Sequence, residues 1–216
     1  MEIRCLSRES NNMAHGTDVP DTAIQSPTDV HKDSGLAVGN TRWYIGECKA
    51  TRERTLRTML QNAGYEAYVA SQSEIHTYKS RNRRKVEKLL LPCRVFVHTE
   101  IDKLMGILLE YSSLYRFQLN KAGTPDRYGR KPFAFVPEDQ MRQLQYVLEQ
   151  SSNPVFFTAD DLHLNQKVRI VSGPLTGLEG WFHQKGSASY IFIKVEMGTT
   201  NYAYTEVPLE DVQPIV

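Results

Sequence analysis

Between Lys79 and Lys88 the chain reads KSRNRRKVEK, six basic residues against one acid. Arginine and lysine at this density attract phosphate. Each phosphate they neutralise releases condensed counterions, so the contact weakens steeply with salt. Arginine also pairs bidentately with guanine edges, so Arg83 and Arg84, together with Asn82, carry the chemistry to read exposed bases. Lys79, Arg81, Asn82, Arg83, Arg84 and Lys85 are therefore the candidate DNA-binding residues. The plain alternative is a solvated hairpin tip. Arg52, Arg54 and Arg57 fall on the polar side of a neighbouring helix. They either extend the same surface or form an ordinary polar face.

Other reactive types are dispersed. His15, His31, His76, His98, His163 and His183 form no cluster, and the sequence holds no nucleophile elbow, phosphate loop or metal-spaced group. No catalytic, cofactor-binding or metal residue is assigned, and the chain reads as a non-enzyme. Cys5, Cys48 and Cys93 are odd in number and lack metal-like spacing, which suits a reducing cytoplasmic compartment rather than a disulfide scaffold. No signal peptide is read, and no apolar run approaches the ~18 residues of a membrane span.

A second informative stretch is KVRIVSGPLTGLEGWF, Lys167 to Phe182. Gly173, Gly177 and Gly180 supply backbone geometries closed to other residues, at turns and close approaches. Leu175, between Pro174 and Thr176, is expected at an exposed turn tip. There an apolar side chain can anchor a partner.

These residues need elements to position them. Net charge over the 216 residues is only +1, but the sum hides a pattern: −3 over residues 1–40, +7 over 41–150 and −3 over 151–216. The basic middle is the part expected to meet something anionic. Residues 1–40 are polar and aperiodic and read as a disordered leader. RWYIGEC reads as a strand. Leu56, Met59, Leu60 and Ala63 then mark one helix face, with Gly64 at its C-terminal cap. YEAYVA is a second strand. A basic hairpin follows, then a long apolar strand through EKLLLPCRVFVHTE. Ile101, Leu104, Met105 and Leu108 share one face of a second helix. LYRFQL is a strand, KAGTPDRYGRKPF a loop, and a third helix opens at Pro137 with Glu138 and Asp139 in its first turn. The fold class is α+β: over 41–150, an antiparallel sheet with helices packed on one side of it. Residues 151–161 read as a linker. Five short strands over 162–216 suggest a small β-barrel.

The strand with Trp43 and Tyr44, the helix ending NAGYEAYV, the basic hairpin, LLLPCRVFV and VRIVSGPLTGLEGWF in a separate barrel resemble, in that order, the NusG family of transcription elongation factors. The resemblance covers residues 41–216. It implies an NGN-type α+β domain followed by a KOW-type, SH3-like barrel. Within the family the chain is most similar to UpxY-like factors, which act at one class of operon, typically for capsular polysaccharide, and antagonise premature termination. There are departures. Leu89 to Arg94 replace most of the family's Pro-Leu-Phe-Pro-Gly-Tyr, and Leu175 stands where general factors carry phenylalanine. Both favour a specialised paralogue.

The resemblance implies RNA polymerase as partner, gripped at its clamp helices by an apolar patch of Leu91, Pro92, Arg94 and Phe96, with Tyr44 and Tyr68 as further lining. Along the strand Val95 and Val97 point one way and Arg94 and Phe96 the other. The hairpin would lie against non-template or upstream DNA. Gly173, Pro174 and Leu175 would present the barrel to either termination factor Rho or a ribosomal protein. A monomer with no cofactor is expected. Two rivals stand: an RNA-binding or ribosome-associated KOW protein, and a general NusG-type factor. The barrel's charge argues against the first, since Lys167, Arg169, Lys185 and Lys194 face six acids across 161–216.

Overall fold

In the computed structural model, residues 40–77, 83–159 and 166–215 are described. The leader expected over 1–40 lies outside them except for Asn40. The first part of the chain runs β1 (Arg42–Cys48), α1 (Glu53–Asn62), β2 (Glu66–Tyr68), β3 (Ser71–Thr77), β4 (Arg83–Leu89), β5 (Arg94–Thr99), α2 (Leu104–Glu110), β6 (Leu114–Phe117), β7 (Phe135–Val136) and α3 (Glu138–Gln150). The second part holds the strands β8 (Val155–Thr158), β9 (Gln166–Ile170), β10 (Glu179–Lys185), β11 (Ala188–Glu196), β12 (Thr200–Glu206) and β13 (Val212–Pro214), with a 3₁₀ turn at Leu209–Asp211.

β1 is the centre of an antiparallel sheet ordered β2-β5-β1-β6, with β7 also on β1. In register, Tyr44 faces Val97 and Ile45 faces Phe96. Alternation then sends these pairs to opposite faces, and both faces are buried. Tyr44, Val95 and Val97 pack with Leu56 and Leu60 of α1 and Leu104 and Ile107 of α2. Trp43, Ile45 and Phe96 pack with Met141, Leu144, Val147 and Leu148 of α3. The expectation of helices on one side is thus corrected: the sheet is sandwiched. Its central strands read apolar on both parities because both parities are covered.

Leu56 and Leu60 are inward as their spacing requires, but Met59 is 47% exposed. Gly64 follows the helix at φ +87°, the left-handed geometry that ends α1. In α2 the inward set is Leu104 and Ile107, with Leu108 half-buried, whereas Ile101 and Met105 point outward. Leu104 and Ile107 set the inward direction of α2, and Met105, one residue past Leu104, lies about 100° round the helix from it, while Ile101 belongs to the 3₁₀ turn Ile101–Lys103 that precedes the helix. The expected long apolar strand is also broken. Leu89 ends β4, a turn intervenes, and β5 begins only at Arg94. Cys93 sits in that turn at φ +60°, and its N–H donates to Oε1 of the buried Glu53 at 2.8 Å.

The second sheet is antiparallel, ordered β13-β9-β10-β11-β12-β8. All five expected strands are present. The sixth, β8, comes from the stretch read as a linker: Val155 to Thr158 pair with β12 from Thr205 to Tyr202. Gly177 lies at φ +89° in the turn before β10. Gly180 answers to close approach instead, since a Cβ there would meet the Phe192 carbonyl oxygen at 2.6 Å.

One core runs through both sheets. Val168, Ile170, Leu178, Ile191, Ile193 and Val195 join the cluster that holds Trp43, Phe96 and the inner stripe of α3. Gln72 of β3 seals the junction. Its amide donates to the Asn153 carbonyl at 2.9 Å and its oxygen accepts from the buried Val155 N–H at 2.9 Å. Gln140 accepts from Glu196 N–H at 2.8 Å, and Gln118 donates to the Met197 carbonyl at 2.9 Å.

Candidate nucleic-acid interface

β3 and β4 form a sheet of their own, in register from Ser71 opposite Leu89 to Thr77 opposite Arg83. A lone two-stranded ribbon is marginal in water, so its root needs support. Glu87 of β4 provides it. Its carboxylate pairs with Arg54 Nε at 2.9 Å and Arg57 Nη1 at 3.3 Å, and it accepts from the Ser71 hydroxyl. Arg54 also donates to the Glu87 carbonyl. Partial burial by itself would raise the Glu87 carboxyl. Ser71, Arg57 and Arg54 together outweigh that and hold it below its ordinary value. Lys88 pairs with Glu74 across the strands at 2.8 Å.

Arg54 and Arg57 are therefore committed to holding the hairpin rather than extending its cationic surface. Of the six candidate DNA contacts, Lys79, Arg81 and Asn82 lie outside the described residues. Arg83 and Arg84 open β4, and Lys85 is exposed further along it. Sequence reasoning did not single out Ser71, Glu74 or Glu87. The lone acid inside KSRNRRKVEK was the available signal.

The expected polymerase patch is not one surface. Phe96 is fully buried and Leu91 is 6% exposed, both in the core under α3. Tyr68 packs on Phe96, with ring centroids 6.5 Å apart, and burial drives its phenol pKa well up. Tyr44 lies on the opposite face of the sheet, among α1 and α2 residues. Its burial likewise raises its phenol pKa. Pro92 reaches solvent, and Arg94 and Tyr68 do so in part.

The turn after β9 also differs from expectation. Gly173 has φ +80°, as a turn requires, and Pro174 is exposed, but Leu175 is 6% exposed and belongs to the core. The Tyr146 hydroxyl of α3 lies 3.3 Å from the Pro174 carbonyl and 3.0 Å from that of Thr176, within donating distance of either. The turn folds inward because α3 offers Leu175 an apolar seat.

A further feature went unnoticed in the sequence: a lateral row of rings on the outer face of the six-stranded sheet, Trp181, Phe192, Tyr204 and Phe156, on neighbouring strands. Among the described residues no group of three or more His, Cys, Asp or Glu side chains could hold a metal ion, and no helix is long and apolar enough to cross a membrane.

The architecture defines an α+β protein: a sandwiched antiparallel sheet carrying a basic hairpin, followed by a six-stranded antiparallel sheet. No protein-family model matches the chain, and no curated protein matches it. Among solved structures it is similar to the crystal structure of the MjSpt4:Spt5 complex in conformation A, at 11% identity, covering 80% of this chain and 97% of that chain with a TM-score of 0.25. Conformation B of the same complex is similar at 10% identity, covering 80% and 96%, with a TM-score of 0.26.

Proposed function

We propose that this chain is a transcription elongation regulator of the NusG type that binds RNA polymerase and suppresses pausing or premature termination. The observation that carries the reading is the basic hairpin. It is a separate ribbon whose root is fixed to α1 by Glu87, so the strand that carries Lys85 leaves α1 from a defined place. A fixed root lets phosphate contacts form without first ordering the ribbon. The partners are the polymerase clamp helices and non-template or upstream DNA. The polymerase-facing side is the Pro92–Arg94 turn, where Arg94 can meet an acidic group. Leu91 and Phe96 join it only if α3 and the second sheet move aside. The factor acts by population shift, favouring the pause-free enzyme by its difference in affinity for the two states. The departures at Leu89–Arg94 and Leu175 support a UpxY-like specialist at polysaccharide operons. No catalysis is involved, and the compartment is the cytoplasm.

The test is association of the full chain with core RNA polymerase at modest ionic strength, after RNase treatment. Binding that Arg94→Glu weakens is expected, with shortened pauses in transcription assays. Absence of any association would overturn the reading.

A further inference from the structure

An antiparallel sheet resting on a core normally turns apolar side chains inward and polar ones outward. The inner face here obeys, with Val168, Ile170, Ile191, Ile193, Val195 and Ala203 buried. The outer face does not. Register aligns Lys167 of β9, Trp181 of β10, Phe192 of β11, Tyr204 of β12 and Phe156 of β8 in one row across five strands. Phe192 and Tyr204 stack at 4.8 Å with 16° between their planes, and Phe156 lies 5.5 Å from Tyr204. Tyr202 bridges Trp181 and Phe192 edge-on at 6.3 and 6.5 Å. Phe156 is 48% exposed and Trp181, Tyr202 and Tyr204 are half-buried, whereas Phe192 in the middle of the row is 5% exposed and serves as a backing for its neighbours.

Cross-strand ring pairs stabilise a sheet, at roughly 0.2–1 kcal/mol each. That accounts for the ring contacts but not for leaving rings open to water along a row. The cations add a second, independent observation. Lys167, Arg169, Lys185 and Lys194 alternate in phase with the rings, so all four lie on this face. Arg169 is committed to Glu179, and Lys194 to Glu196 at 2.6 Å. The Lys167 ammonium stands 5.7 Å from the Trp181 ring centroid, and Lys185 is exposed. The acidic total for this region therefore conceals a face where rings and cations sit together.

We propose that this row is a stacking platform for single-stranded nucleic acid. Bases lie on Trp181, Tyr204 and Phe156, because every base has a π-face, and the phosphate chain passes Lys167 at the β9 end of the row. Trp181 to Phe156 spans three strand spacings, about 14 Å at ~4.8 Å each, room for two or three bases. The site is separate from the hairpin and does not depend on the polymerase reading.

Trp181 supplies the readout. The chain has two tryptophans, and the other, Trp43, is 2% exposed in the core. The full chain is titrated with a ten-nucleotide oligouridylate and, in parallel, an oligodeoxythymidylate, following tryptophan quenching and the anisotropy of the end-labelled strand. Saturable quenching is expected. The preferred polymer tells whether transcript or displaced DNA is the ligand. Phe156→Ala should weaken binding about five-fold or more, the loss of one stacked base. Lys167→Gln should weaken it with unchanged melting. A chain with Lys79, Arg81, Arg83, Arg84 and Lys85 changed to Gln should still show the quenching. Absence of quenching with either polymer, or quenching indifferent to both Phe156→Ala and Lys167→Gln, would overturn the platform. If polymerase association then persisted, the row would be a protein-contact or purely structural surface and the polymerase reading would stand.

Discussion

The hairpin and the outer face of the six-stranded sheet both gather cations, yet they are built in opposite ways. The hairpin is a ribbon with charge as its main content, steadied at its base by partly exposed ion pairs. The outer face is a rigid surface, backed by a core that extends through α3 to the first sheet. Charge without backing suits long-range, sequence-blind attraction to phosphate, whereas backed rings suit short-range contact with bases. The difference teaches that a count of basic residues locates only the first kind of surface.

The comparison breaks most directly at the core. Phe96→Ala removes a fully buried ring and should cost about 3–5 kcal/mol. In urea, Trp181 fluorescence and far-UV circular dichroism should still report one coincident transition. Two separated transitions would show that the outer face is not backed by the first sheet. Gln72 ties the hairpin's root strand to β8, so Gln72→Leu leaves the Val155 N–H buried without its partner. A loss of about 1–3 kcal/mol is expected by chemical denaturation.

Affinity sharpens the contrast. Changing the five hairpin cations to Gln should flatten the salt dependence of DNA binding by about 0.7–0.9 log units per lost phosphate contact. Phe156→Ala should lower affinity for single strands while leaving that slope unchanged. The smallest effect is at Glu87. It is partly exposed, so Glu87→Gln should cost about 0.5–1 kcal/mol at neutral pH. Its carboxyl lies lower in the folded chain than its ordinary 4.5, so its stabilisation is complete above that value. It is lost as pH falls through the folded value, and parent and variant should melt alike in stronger acid.

The inward pair Leu56 and Leu60 of α1, the strands β1, β2 and β6 and all five strands after residue 162 were legible in the sequence, whereas Met59 and Ala63, expected on the same helix face, are exposed. So was the positive-φ role of Gly64, Gly173 and Gly177. What stayed hidden depends on contacts between distant segments. Met105 reads as sharing a face with Leu104 until the packing of α2 selects Leu104 and Ile107 as its inward pair. Leu175 reads as exposed until α3 is brought to it. VFFT looks like a linker because its pairing partner, β12, lies more than forty residues onward. Arg54 and Arg57 look like spare cations until Glu87 is placed beside them. The aromatic row is the clearest case. Each strand shows an alternation that any half-buried strand would show, and only register turns four separate rings into a line.

The glutamine at position 72 also has a mechanical consequence. Stretched between residues 42 and 215, the molecule would not yield like beads on a string. Its grip on the backbone at Asn153 and Val155, together with the shared interior behind it, couples the two sheets under load. Tension would be resisted by both and released in a single rupture.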